Sequence, residues 1–118
     1  MLVKFRTPFG QIKAPVTHLP FVMGRALDCE LRSESHFVSR RHCELLADAS
    51  GLMVRDLGSR HGTYVNGERI IGQQRLENGN VLALGPIPYE VVISKSMRRR
   101  MMERLRHPFL RGVPTRGS

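Results

Sequence analysis

The apolar residues of this chain come in short runs, recurring at roughly 8–12-residue intervals between turn signals. That spacing leaves no room for a parallel sheet with crossover helices, and no strand–helix alternation is present. "MLVKF" reads as a first strand, followed by "APVTHL" and "PFVMGR", with Pro20 marking an edge or a bend between them. "HCELLA" and "GLMVRDL" flank the turn "DASG". "TYVNGERII" carries Asn-Gly, a strong hairpin signal, and "NGNVLALG" and "YEVVIS" complete the set. The pattern predicts an all-β sandwich or barrel, with Leu57, Val65, Ile70, Leu82 and Val91 in its core. No internal repeat is evident.

From Ser96 the texture changes. Met97, Met101 and Leu105 fall at i, i+4 and i+8 among arginines, and Pro108 ends the run, which reads as a short basic amphipathic helix. "RGVPTRGS" reads as a flexible end. The expected organisation is therefore one domain over residues 1–95 and a basic helix and tail or linker over 96–118. Charge follows the same division. The formal net charge is +9, of which residues 96–118 carry seven arginines against one acid. Only three of the 19 basic residues are lysines, and the planar guanidinium binds phosphate in a bidentate way that ammonium cannot.

No apolar run approaches the roughly 18 residues of a membrane span, and the N-terminus lacks a signal-peptide layout. The reading is a soluble, cytoplasmic protein. Cys29 and Cys43 lack CxxC spacing and are expected as reduced, buried thiols.

Three inter-strand segments share a character: Gly24-Arg25, then "SRRH" (Ser39 to His42), then "GSRHGT" (Gly58 to Thr63). Loops at one end of a sandwich commonly converge. Convergence here gathers Arg25, Ser39, Arg40, Ser59, Arg60 and His61, a set of guanidinium forks, hydroxyls and imidazole with no carboxylate expected to consume them. Glycines let backbone N–H groups approach an anion, and phosphate is the natural ligand.

Four motifs, "FVMGR", "SRRH", "RDLGS" and "GTYVNG", stand in the order and spacing of the forkhead-associated (FHA) domains, and the likeness runs over roughly residues 2–94. The chain resembles that family. The resemblance implies a β-sandwich of about eleven strands that binds phosphothreonine in a partner protein through its apical loops. It also implies a role in Ser/Thr-kinase signalling without catalysis or cofactor. Carried over by position, Arg25 resembles the family's phosphate-binding arginine and Ser39 its phosphate-binding serine, donating from the hydroxyl. Arg40 matches a position that adds a phosphate contact, and Arg60 one where some members place a further donor. His42 resembles the histidine that braces the loops. Gly24 and Gly62 match tight-turn positions, and Asn66 and Gly67 a structural Asn-Gly pair.

His61 departs from the pattern, since the family most often has asparagine there to fix the peptide backbone. Neutral imidazole has one donor and one acceptor on opposite sides of a rigid ring and cannot copy a bidentate amide. Two outcomes stay open: a single contact that makes binding pH-sensitive, because imidazole ordinarily titrates near ~6.5, or a lapsed pocket on an FHA-like scaffold.

Other chemistries fare worse. Ser39 and His42 lack an orienting acid and a nucleophile elbow, which argues against hydrolysis. Cys29, His36, His42, Cys43 and His61 match no recognised zinc spacing, so no metal site is expected. Asp56 reads as a strand-end or turn carboxylate and not as a general base. The tail arginines suit nucleic acid or a membrane surface in charge, but no aromatic residues are interleaved among them, which favours a linker or packed helix. Thr115 is a candidate phosphorylation site through which the module binds its own tail or a neighbour's.

Overall fold

The computed structural model describes residues 3–13 and 15–94. The helix expected over 96–118, the boundary before it and Thr115 lie outside the described residues. Ten strands follow in chain order: β1 (Val3–Arg6), β2 (Phe21–Gly24), β3 (Leu31–Arg32), β4 (Cys43–Asp48) and β5 (Gly51–Asp56), then β6 (Thr63–Val65), β7 (Glu68–Arg69), β8 (Gln73–Arg75), β9 (Val81–Leu84) and β10 (Ile87–Ile93). They form two five-stranded sheets, ordered β1-β10-β9-β6-β7 and β3-β2-β4-β5-β8. The expectation of an all-β sandwich holds.

The alternation that predicts the strands also assigns their faces. In β1, Val3 and Phe5 are buried while Lys4 and Arg6 are exposed, and Val3 and Phe5 stand opposite Ile93 and Val91 of β10. All four side chains therefore enter the core. β2 lies between β3 and β4 and is buried at every position, which is why it reads as a continuous apolar run. Phe5 stacks on Phe21 of the opposite sheet at 6.1 Å between centroids and meets Tyr89 edge-on at 6.2 Å. Each such fully buried side chain contributes about 1.5–3 kcal/mol, so this aromatic contact is a main tie between the sheets.

Two hairpins match their turn signals. β4 and β5 pair as far as Asp48 opposite Gly51, and Asp48 Oδ1 accepts from the Ser50 amide at 2.8 Å. β6 and β7 turn through Asn66 and Gly67 at φ +51° and +86°, the geometry for which Asn-Gly is selected. Asn66 also exchanges hydrogen bonds with Val81, donating its amide to the carbonyl and accepting at Oδ1, both at 2.8 Å.

The structure departs from the sequence reading in three respects. Ten strands are present among the described residues, where about eleven were expected. Among its described residues "APVTHL" builds no strand: only Val16 N bonds to Val3 O of β1, while just before the segment Ile12 makes an isolated bridge to Arg6 and Lys13 N bonds to Phe5 O. Pro15 has no N–H to extend that pairing. In compensation β3 and β8 appear. Of the residues expected in the core, Leu82 and Val91 are fully buried, Val65 and Ile70 are half-buried and pack against it, and Leu57 is half-buried where the chain leaves β5 for the apex.

Candidate functional site

Backbone hydrogen bonds bring the three loops together at one end of the sandwich. The Arg25 amide donates to the Ser39 carbonyl at 2.9 Å, and the Ala26 amide to the Arg40 carbonyl at 3.0 Å. The Arg60 amide donates to Ser39 Oγ at 3.0 Å, joining the third loop to the second. The β9–β10 turn closes the apex, since the Gly85 amide donates to the Gly62 carbonyl at 2.8 Å.

His42 is the internal brace of this arrangement. It is fully buried; its Nδ1 accepts from the Ser39 amide at 3.1 Å and its Nε2 lies 2.8 Å from the Gly62 carbonyl. The two bonds require the neutral ring with its proton on Nε2. Burial holds the imidazole below its ordinary pKa, outweighing the bond to Gly62 and the charge of Asp56 that favour protonation. Both ring nitrogens are engaged, so His42 serves neither as a base nor as a metal ligand.

Asp56 organises the third loop, a role its spacing only hinted at. Oδ2 accepts from the Gly58 and Ser59 amides at 3.0 and 3.1 Å, while Oδ1 accepts from Ser59 Oγ at 2.6 Å and Thr63 Oγ1 at 2.7 Å. Ser59 Oγ in turn accepts from the Gly62 amide at 3.0 Å. Burial raises the Asp56 pKa, but these hydrogen bonds together prevail and hold it below the usual carboxylate range. The expectation that no carboxylate consumes the loop donors therefore fails for Ser59, whose hydroxyl belongs to Asp56. The Asp-x-Gly-Ser spacing of an Asx turn is the signal that could have found it.

The remaining donors stay available. Arg25 is half-buried, and its Nε donates to the Val38 carbonyl at 3.0 Å. Ser39 Oγ accepts from Arg60 N–H with a lone pair and keeps its own proton to donate. Of the nine described arginines, Arg6, Arg32, Arg41, Arg55 and Arg75 pair with carboxylates, whereas Arg25, Arg40, Arg60 and Arg69 have no such partner among the described residues, and the first three of these four stand on the converging loops. Arg25 and Arg40 border an open groove of ≈ 450 Å³ that also takes in Arg32, Glu34 and His36. His61 stands on the other flank, exposed and edge-on to Phe37 at 5.4 Å. It borders a mainly apolar groove with Tyr64, Ala83 and Pro86.

The two glycines expected at tight turns differ in kind. Gly62 has φ +88° and belongs to a turn, and a Cβ there would stand 2.6 Å from Arg69 Nε. Gly24 is not a turn residue. It ends β2 without a positive φ, and glycine is needed because a Cβ would lie 2.2 Å from the Arg40 carbonyl oxygen. Asn66 and Gly67 form the β6–β7 turn, apart from the bonded cluster of the three loops.

A two-sheet sandwich that holds unpaired guanidiniums, a serine hydroxyl and glycine turns on converging apical loops belongs to the class of modules built to hold an anion at one end. The FHA domain model matches residues 21–85, and the chain belongs to the FHA domain family. It is similar to the ABC transporter ATP-binding/permease protein Rv1747 of Mycobacterium tuberculosis, 32% identical over 95 residues, which is 80% of this chain and 11% of that protein. It also superimposes on an FHA domain solved in work on phosphothreonine-dependent FHA interactions, with TM-score 0.70 and 27% identity over 80% of this chain and 98% of that one. The FhaA FHA domain, complexed with the intracellular domain of Rv3910, gives TM-score 0.66 and 28% identity over 75% of this chain and 98% of that one. The chain spans between 2% and 46% of the length of the curated relatives it matches.

Proposed function

We propose that this chain is a non-catalytic docking module that binds a phosphothreonine-bearing segment of a partner protein after a Ser/Thr kinase has acted. The observation that carries the reading is the set of unpaired Arg25, Arg40 and Arg60 on loops that backbone bonds hold together around Ser39. An FHA domain 27% identical to this chain was studied for phosphothreonine-dependent interactions, which supports the same ligand. In this reading Arg25 offers its terminal nitrogens to the phosphate and Ser39 donates its hydroxyl. Arg40 and Arg60 add charge, and His61 flanks the peptide beyond the phosphate. Gly24, His42 and Gly62 frame the loops, and Asn66 and Gly67 hold the hairpin behind them. The working compartment is the cytoplasm, and the binding unit is the domain over residues 1–95. Among the described residues no helix is long and apolar enough to cross a membrane.

The magnitudes agree with such a role. A phosphate monoester carries about −1.5 to −2 charge near pH 7. Three charge-assisted hydrogen bonds at about 1.5–3 kcal/mol each supply much of the roughly −8 kcal/mol of a micromolar complex. The test is an oriented phosphothreonine peptide library with phosphoserine and unphosphorylated controls and Arg25→Ala alongside. Phosphothreonine-selective binding that drops at least tenfold in the variant is the expected result. Equal binding of phosphorylated and unphosphorylated peptides, or none of either, would overturn the reading and leave a scaffold with a lapsed pocket.

A further inference from the structure

The apex and the groove beside Arg25 together hold more positive charge than one phosphate neutralises. Gly24 pairs with Arg32 across the parallel β2–β3 contact, so Arg32 stands next to the residue preceding Arg25. Its Nε donates to the Arg25 carbonyl at 2.9 Å, fixing the root of its guanidinium at the groove's edge. The Ala26 bond to the Arg40 carbonyl places Arg40 on the same groove, and His36 lies along it too. Among the described residues the one carboxylate lining it is Glu34, strongly exposed and 3.4 Å from Arg32 Nη1, a loose surface pair that a better-placed anion displaces. Arg41 belongs outside the count because Asp28 pairs with it at 3.2 Å.

Four guanidiniums, Arg25, Arg32, Arg40 and Arg60, thus share the apex and the groove with one loosely held acid. A phosphothreonine of about −2 leaves roughly one positive charge over. Like charges gathered in one groove repel one another, and a second anion relieves that repulsion.

We propose that the groove of Arg32 and His36 is a second anion subsite, which selects partner segments bearing a further negative group close to the phosphothreonine. The proposal rests on the docking function above and adds the chemistry of the flanking residue. Glutamate and a second phosphate present the same oxyanion to the guanidinium, and the experiment separates them.

Affinity is measured by fluorescence anisotropy at physiological ionic strength, for a phosphothreonine peptide with alanine flanks. Glutamate or a second phosphothreonine is then placed in turn at each of the three positions on either side. The expected result is a gain of fivefold or more at one or two adjacent positions only, larger for phosphate than for glutamate if a phosphate is the preferred occupant. His36→Ala and Arg32→Gln should each reduce that positional gain. Glu34→Gln, which removes the competing carboxylate, should increase it. Because Arg32 also holds the Arg25 carbonyl, the Arg32→Gln result is scored as the ratio between doubly and singly charged peptides, which a general loosening of the loop leaves unchanged. A gain of equal size at every position, or one that survives both variants, overturns the subsite while the single phosphothreonine is still bound. Failure of every phosphopeptide to bind overturns the docking function, and the subsite with it.

Discussion

Replacing Gly24 by alanine should drive the end of β2 and the Ser39–Arg40 segment apart without altering any side chain of the proposed site. The added Cβ meets the Arg40 carbonyl oxygen at 2.2 Å, its carbon at 2.8 Å and the Ser39 carbonyl oxygen at 3.0 Å. All three are backbone atoms, so no side chain can swing aside. Relief requires β2 and the Ser39–Arg40 segment to move apart, which lengthens the bonds from Arg25 N to Ser39 O and from Ala26 N to Arg40 O. Overpacking costs about 1–3 kcal/mol, and each weakened backbone bond about 1 kcal/mol more. The expected loss is therefore about 3–5 kcal/mol, a large share of the 5–15 kcal/mol that holds a domain of this size folded. At roughly 4–8 °C per kcal/mol, Tm should fall by about 12 °C or more. Urea denaturation of Gly24→Ala beside Gly10→Ala isolates the cause. Gly10 has φ +83° with nothing within 4 Å of an added Cβ, so its cost is backbone strain alone, about 1–2 kcal/mol. If the two variants unfold at the same midpoint, or if Gly24→Ala stays within 1 kcal/mol of wild type, close approach of the backbone is not what requires glycine at Gly24.

Three further outcomes are expected. The His42 pKa is lowered in the folded state, so the unfolded chain takes up the proton first once pH falls below about 6.5. Stability should thus be complete above that pH and decline on acidification, at up to about 1.4 kcal/mol per pH unit until the folded ring is protonated, and His42→Gln should flatten this part of the profile. Asp56→Ala removes an ionised acceptor of four hydrogen bonds and strands the fully buried Thr63 hydroxyl, so calorimetry should show a loss of about 3 kcal/mol or more. The folded Asp56 carboxyl has a lowered pKa, so its share of stability is present above about pH 3.9 and disappears as pH falls through the folded value, a loss absent from Asp56→Asn. His61→Asn should tighten phosphopeptide binding by restoring a two-point amide contact, and titration calorimetry that shows weaker binding instead would make the contact to Phe37 the residue's real purpose.

The fold was legible wherever burial writes a period into the chain. The alternation of Val3 and Phe5, the apolar run of β2 and the Asn66-Gly67 turn each follow from local rules. Strand β3 has two residues and β8 reads Gln-Gln-Arg with every side chain exposed, so neither carries a periodic signal, and both are defined only by their neighbours. The same limit applies at the apex. The gathering of Arg25, Ser39 and Arg60 could be expected from loop order, but their division of labour could not. Arg60 meets Ser39 through its amide, Ser59 is claimed by Asp56, and Gly24 is required by a carbonyl sixteen positions along the chain. Each of these depends on distances between segments remote in sequence.

The brace at His42 also has a kinetic meaning. Because the Ser39 loop and the Gly62 loop are bonded to the same ring, a ligand arriving at the apex has little ordering left to do. Capture is then governed by encounter and orientation, at about 10⁵–10⁷ M⁻¹s⁻¹ and faster with attraction between opposite charges. Partners of different sequence would differ chiefly in how long they stay. If the proposed docking function holds, a phosphatase working on such a partner would act in the intervals when the phosphate is released, so residence time at this apex would set how quickly the mark can be erased.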